Sequence, residues 1–216
     1  MTDLPAWSIY ALSALGGYFL GSIPFGVLTT RMAGINIRDI GSGNIGATNV
    51  LRTGRKDLAL ITFLGDTGKG AAAVGLAFLL LLSQDMGTRQ TGMALAGGGA
   101  FLGHLYPVWL KFKGGKGVAT FIGTLFAASW PLGLIAAGVW LLTAFIFRIS
   151  SLSALVAAAL IAPLGLLFDQ PYPFLIMAIF MSVLIYRRHN DNIRRLLKGE
   201  EPRIGKKKTA ETTGGA

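Results

Sequence analysis

Residues 41–52 read Gly41-Ser42-Gly43-Asn44-Ile45-Gly46-Ala47-Thr48-Asn49-Val50-Leu51-Arg52. Glycines at this short spacing let successive backbone N–H groups point into one concavity, which suits an anion. Ser42, Asn44, Thr48 and Asn49 add uncharged polar side chains, and Arg52 adds a planar cation matched to two phosphate oxygens. A flexible loop capping two helices would have much the same composition. Uncharged donors packed beside one arginine, in a chain this poor in charge, favour the anion site. It is not a P-loop, because neither Lys69 nor Lys116 closes a Gly-x4-Gly-Lys-Ser/Thr string.

A second stretch runs Gly103-His104, then Pro107, then Lys111-Phe112-Lys113-Gly114-Gly115-Lys116-Gly117-Val118-Ala119-Thr120. Gly114, Gly115 and Gly117 bracket Lys116, so the backbone can approach a ligand closely while the ammonium reaches it. A basic loop between membrane helices explains the cations but not the glycines. The third stretch is Arg187-Arg188-His189-Asn190-Asp191-Asn192-Ile193-Arg194-Arg195-Leu196. On a helix His189 and Asn192 are three apart and share a face. A basic helix lying on anionic lipid accounts for the arginines better than for that pair. His104, in an apolar span, reads first as a hydrogen-bond partner between helices. Asp66 and Lys69 read as an intramembrane ion pair that limits the cost of burying charge.

The elements that must position these residues belong to a bilayer. Of 216 residues, 52% are hydrophobic and only 14% charged, against about 25% charged in soluble domains. Too few polar side chains remain to cover a water-soluble globule. Disorder, collagen and an ordinary soluble enzyme are excluded. The absence of cysteine excludes disulfides, a thiol nucleophile and thiolate metal sites. Apolar segments occupy residues 6–28, 58–82, 91–110, 118–147, 149–168 and 174–186. No Lys or Arg precedes residue 6, so the first segment lacks the basic start of a signal peptide and suits an outside N-terminus.

The net charge is +10, and 17 of the 20 Lys and Arg fall in residues 31–56, 111–117 and 187–208. They carry almost no interleaved aromatics and match no nucleic-acid motif. Parity then decides the topology. If the 30 uncharged residues 118–147 formed one helix, the second and third clusters would face opposite sides of the membrane. A hairpin turning at Trp130-Pro131 puts all three on one side, in accord with the excess of cations in cytoplasmic loops. The expected fold is therefore an all-α, polytopic membrane protein with seven transmembrane helices, N-terminus outside and C-terminus cytoplasmic. Residues 1–205 form a single transmembrane catalytic domain, and residues 206–216 read as a disordered cytoplasmic tail.

As a set the three stretches, with Gly21-Ser22-Ile23-Pro24 and Lys198-Gly199-Glu200-Glu201, resemble the bacterial acyl-phosphate:glycerol-3-phosphate acyltransferases, the PlsY family. The likeness spans nearly the whole chain; Tyr106 stands where that family commonly has Phe. It implies a bacterial inner-membrane enzyme with its site at the cytoplasmic face. The implied reaction moves a fatty acyl group from acyl phosphate to the 1-hydroxyl of glycerol 3-phosphate. The products are lysophosphatidate and inorganic phosphate, the first step of phospholipid synthesis. By motif position, Ser42, Thr48, Arg52, Lys116, His189 and Asn192 hold phosphate. Gly43, Asn44, Gly46, Asn49, Gly114 and Gly115 complete the substrate-binding set. Lys116, His189 and Asn192 position and stabilise charge.

Two phosphorylated substrates suit glycine loops and cations, and a long acyl chain suits a site at the bilayer edge. An acyl phosphate is a mixed anhydride with a good leaving group, so the protein need only position and neutralise. No Ser/His/Asp set is evident. The His-x4-Asp pair of other glycerol-phosphate acyltransferases is missing, since Trp109 and Arg194 stand at that spacing from His104 and His189. We therefore expect no side-chain general base; a substrate phosphate oxygen takes the hydroxyl proton. No cofactor, metal or nucleic acid is expected, Asp39 and Asp191 being too few for Mg²⁺. The chain is read as a monomer. A transporter of a phosphorylated metabolite explains the spans and cations, but predicts polar groups near the membrane midplane. A scaffold for anionic lipid needs no glycine loops.

Overall fold

The computed structural model describes residues 5–205. The expected disordered tail, 206–216, lies outside them.

The first apolar segment is helical as α1 (Ala6–Gly21) and α2 (Phe25–Met32), broken between them at Ser22-Ile23-Pro24. Proline has no N–H to continue the ladder and pushes the residue before it out of helical geometry. A single turn, α3 (Ala47–Val50), interrupts the polar loop that follows. Long helices come next: α4 (Lys56–Leu80) and α5 (Met86–Leu105). The uncharged 118–147 segment is two helices, α6 (Val118–Ala128) and α7 (Trp130–Phe147), separated by the extended residue Ser129. Gly133 on α7 sits so close to α6 that a Cβ there would lie 2.5 Å from Phe126 N. The chain thus reverses where parity required it. Then follow α8 (Ser150–Leu167), α9 (Tyr172–Arg188) and the short α10 (Asn190–Leu197).

Glycine sets how closely these helices approach. On α1, a Cβ at Gly17 would lie 2.1 Å from Ala96 O, and one at Gly21 would lie 2.0 Å from Ala100 O. From α5, Gly99 and Gly103 meet Ala14 O and Tyr18 O in the same way, at 2.3 and 2.1 Å. Both helices therefore carry small residues four apart on the shared face, the pattern that lets membrane helices pack backbone to backbone. Gly70 on α4 and Gly123 on α6 reciprocate against Thr120 and Thr67.

The main core joins Phe101, Phe121, Leu125, Leu132, Ile161, Met181 and Ile185, all buried. A second cluster, with Val27, Ile37, Ile45, Val50 and Leu58, seats the first polar loop. Outside, Leu60, Leu64, Leu79, Leu141, Phe145, Ile176 and Val183 are exposed. In water so much uncovered apolar surface would aggregate; in lipid it is the solvated face. Four segments are long and apolar enough to cross a membrane: Ala6–Met32, Lys56–Leu80, Trp130–Phe147 and Ser150–Leu167.

Candidate active site

The first polar loop is pinned from within by Asn49, only 3% exposed. Its Nδ2 donates to Asn44 O at 2.8 Å and Ile40 O at 2.9 Å. Its Oδ1 accepts from Ser42 N at 3.0 Å and Ser42 Oγ at 3.2 Å. Asn49, expected as a ligand donor, shapes the loop through these bonds. Gly41 has φ +55°, and a Cβ there would meet both Asn49 and Arg52. Arg52 runs along this bare backbone and enters no ion pair among the described residues. Gly43 has φ +67°, and its N–H donates to Ile40 O at 2.8 Å. Gly46 precedes α3 as its N-cap. The Thr48 and Ser150 hydroxyls are 3.2 Å apart, joining the loop to the start of α8.

In the second loop the glycines face inward. Gly114 N donates to Leu105 O at 3.0 Å and Gly115 N to His104 O at 3.1 Å. A Cβ at Gly114 would lie 2.1 Å from His104 O; one at Gly115 would lie 2.2 Å from His104 Nε2. The close approach expected toward a ligand is made to the end of α5, and these two N–H groups are already engaged. Lys116 is carried past this anchored stretch and donates from Nζ to Asn192 Oδ1.

The third stretch closes over the second. Arg188 donates from Nε to Gly115 O and from Nη2 to Gly114 O, both at 3.2 Å, and stacks over Tyr106 at 5.5 Å. His189, 2% exposed, is shared by the end of α9 and the start of α10. Its Nδ1 lies 2.8 Å from Ile185 O. A carbonyl can only accept, so Nδ1 carries the proton and Nε2 keeps a lone pair. Asn192 donates to Glu201 Oε1, so both ends of its amide are committed.

Sequence reasoning missed three residues that tie the stretches together. Arg38 donates from Nη1 to Gly43 O at 3.1 Å and from Nη2 to Lys113 O, bridging the first two loops. Arg188 joins the second to the third. Glu201 accepts from Asn192, from Ser151 Oγ at 2.7 Å and from Arg195 Nε at 2.7 Å. Loops one and two, α10, the 198–205 segment and α8 therefore form a closed ring of contacts. Among 20 Lys and Arg, an arginine that bonds carbonyls has no distinctive spacing; Glu201 belonged to the family likeness but carried no role.

Burial pulls the Lys116 ammonium down to about 8; Glu201 pulls the other way, and Arg195 and Arg188 offset part of that pull. Burial, and then the nearby Lys116 charge, lowers His189 to about 4, so the imidazole is neutral at pH 7. Burial pushes the Glu201 carboxyl up, but hydrogen bonds from Ser151, Asn192 and Arg195 outweigh it and hold it below the ordinary range. Two cations and a neutral, lone-pair imidazole at one end of an apolar bundle suit phosphate and a hydroxyl.

Deeper in the bundle, Lys69 Nζ lies 2.7 Å from Asp66 Oδ1 and donates to Ile23 O at 2.8 Å, the carbonyl freed where α1 breaks. The expected ion pair is present. His104 Nδ1 is 3.4 Å from the same carboxylate oxygen. Among the described residues no group of three or more His, Asp and Glu comes together as a metal site would require.

The family model for glycerol-3-phosphate acyltransferase matches residues 11–199. A glycerol-3-phosphate acyltransferase of Caulobacter vibrioides is 63% identical over 98% of this chain and 96% of its own. That of Paramagnetospirillum magneticum is 58% identical over 94% and 97%. Among solved structures, PlsY, an integral membrane glycerol 3-phosphate acyltransferase, in its glycerol 3-phosphate form superposes with a TM-score of 0.83. It shares 36% identity and the match covers 91% of this chain and 96% of PlsY. Its lysophosphatidic acid form gives 0.80.

Proposed function

The chain belongs to the glycerol-3-phosphate acyltransferase family, and from that premise we propose that it moves a fatty acyl group from acyl phosphate to the 1-hydroxyl of sn-glycerol 3-phosphate. It is a multi-pass membrane enzyme. Seven membrane segments, the first being α1 with α2, run from an outside N-terminus to a cytoplasmic C-terminus in the bacterial inner membrane. All three polar stretches then meet the cytoplasm, where glycerol 3-phosphate is dissolved and the acyl donor reaches them from the inner leaflet. The enzyme acts as a monomer.

In this reading Arg52 and Lys116 neutralise the phosphoryl groups, with Ser42 and Thr48 as uncharged donors. The neutral His189 helps position the glycerol so that its 1-hydroxyl aims its oxygen at the acyl carbonyl and its O–H at a phosphate oxygen. The new ester C–O bond forms as the acyl–phosphate C–O bond breaks, and inorganic phosphate leaves. The hydroxyl proton goes to a phosphate oxygen, because an imidazole near 4 is too weak a base to keep it. The glycines of the second loop and the amides of Asn49 and Asn192 hold the site's shape.

One observation carries the reading: Lys116, Asn192 and the Arg188-clamped glycine loop meet the first loop through Arg38, at a single end of the bundle. The test is purified protein with acyl phosphate and glycerol 3-phosphate, measuring phosphate release and lysophosphatidate. Stoichiometric formation of both is expected. No turnover removes the enzyme reading, and uptake into sealed vesicles without product replaces it with transport. Acylation from acyl-CoA alone overturns the donor.

A further inference from the structure

We propose that His104 is a positioning residue for Lys116: its buried ring, lying beside the Asp66 carboxylate, is the floor on which the Lys116 stretch rests. The inference builds on the acyltransferase reading only in its kinetic readout.

The ring sits directly beneath Gly115. A Cβ added to that glycine would lie 2.2 Å from Nε2, 3.0 Å from Cε1 and 3.1 Å from Cδ2, so the glycine Cα stacks on the imidazole edge. Two backbone bonds fasten the loop at the same place, Gly115 N to His104 O and Gly114 N to Leu105 O. Lys116 is the next residue, and its Nζ must reach Asn192. A shift of the floor therefore moves the ammonium itself.

The other edge of the ring faces Asp66 on α4, and among the described residues neither facing atom makes a hydrogen bond. Nδ1 lies 3.4 Å from Asp66 Oδ1, and the same oxygen takes Lys69 at 2.7 Å. Lys69 is in turn anchored to Ile23 O at the break between α1 and α2. All three side chains are at most 4% exposed. Asp66 and Gly115 thus flank one imidazole, with Lys69 and Ile23 behind the carboxylate, a costly arrangement inside a membrane. A helix pair needing only adhesion would use Ser or Thr. Because Gly115 covers Nε2, no substrate touches His104, and the histidine acts through the loop.

The ring and the glycine also compete for one volume, which supplies the test. His104→Ala and Gly115→Ala are each expected to lower turnover at least about tenfold, since misplacement near 1 Å is enough for more than that. His104→Ala leaves a cavity and should also lower melting in detergent, so turnover is compared at a temperature where both proteins stay folded. In the double variant the methyl added at position 115 occupies space the ring has left, so turnover recovers above that of Gly115→Ala alone. Wild-type turnover in His104→Ala, or losses that multiply in the double variant, overturns the proposal. His104→Asn, which keeps a polar group toward Asp66, replaces His104→Ala if the latter fails to fold, with the same two outcomes.

A readout independent of turnover separates this from failure of the acyltransferase reading. Labelling of Lys116 by an amine-reactive reagent, quantified by mass spectrometry, should run several-fold faster in the His104 variants than in wild type. Equal labelling rates overturn the positioning role even in a protein that catalyses nothing. Absent wild-type turnover with faster labelling leaves the floor in place and removes only the assigned reaction.

Discussion

Lys116 offers the sharpest quantitative test, because the proposed mechanism requires its ammonium charged and burial leaves it poised to lose that charge. Burial holds it at about 8. With that value about one Lys116 in eleven is protonated at pH 9, so kcat/KM should fall about tenfold between pH 7 and pH 9. Bound phosphate favours the charged form, so the same limb moves to higher pH in kcat than in kcat/KM. His189 adds no limb between pH 5 and 8, being neutral throughout. The substrate phosphates ionise near ~6 and give an acid limb common to every variant. Lys116→Arg keeps the charge at all accessible pH, so it should lose the alkaline limb while its fork misses Asn192 and lowers the plateau. Lys116→Met removes a charge-assisted hydrogen bond of about 1.5–3 kcal/mol, or about 10- to 150-fold in kcat/KM. The assay is phosphate release at fixed ionic strength across pH 5.5–9.5. A flat wild-type profile above pH 7, or an identical alkaline limb in Lys116→Arg, refutes the assignment.

Other perturbations probe the frame. Arg188→Ala strips the partner from Gly114 O and Gly115 O, at about 1–3 kcal/mol for each buried carbonyl; turnover and melting temperature should fall together, with Arg188→Lys restoring only part. Glu201 is held below its unfolded value, so its stabilisation is full above the ordinary carboxylate range and disappears as pH falls through the folded value. Melting of wild type should therefore drop on acidification, and Glu201→Gln should abolish that component and lower stability at pH 7. Gly21→Leu drives a side chain into Ala100 O and should cost at least about 1–3 kcal/mol in detergent melts, whereas Gly16→Leu, facing open space, should be neutral.

Membrane-length helices were legible because a bilayer imposes length and hydropathy, and the break near Trp130-Pro131 because charge parity favours a hairpin over one helix across 118–147. The break at Ser22-Ile23-Pro24 was not taken from the sequence, although Pro24 announces it; hydrophobicity runs unbroken across it. Within the site, residue types were readable but commitments were not. The residue types of Asn49 and Asn192 suggest ligand donors, but not that the fold itself engages their amides. Gly114 and Gly115 look like a cradle until His104, ten and eleven residues earlier, is found beneath them. Arg38 and Arg188 differ from lipid-facing arginines only in the carbonyls they reach, which no spacing encodes.

The ring that ends at Glu201 also has a bearing on how the protein is made. Asn192 and Glu201, the partners of Lys116 and Ser151, follow every long helix of the bundle along the chain. Until residue 201 has been made the ring cannot close, so the frame around Lys116 is completed only after the long helices have been translated.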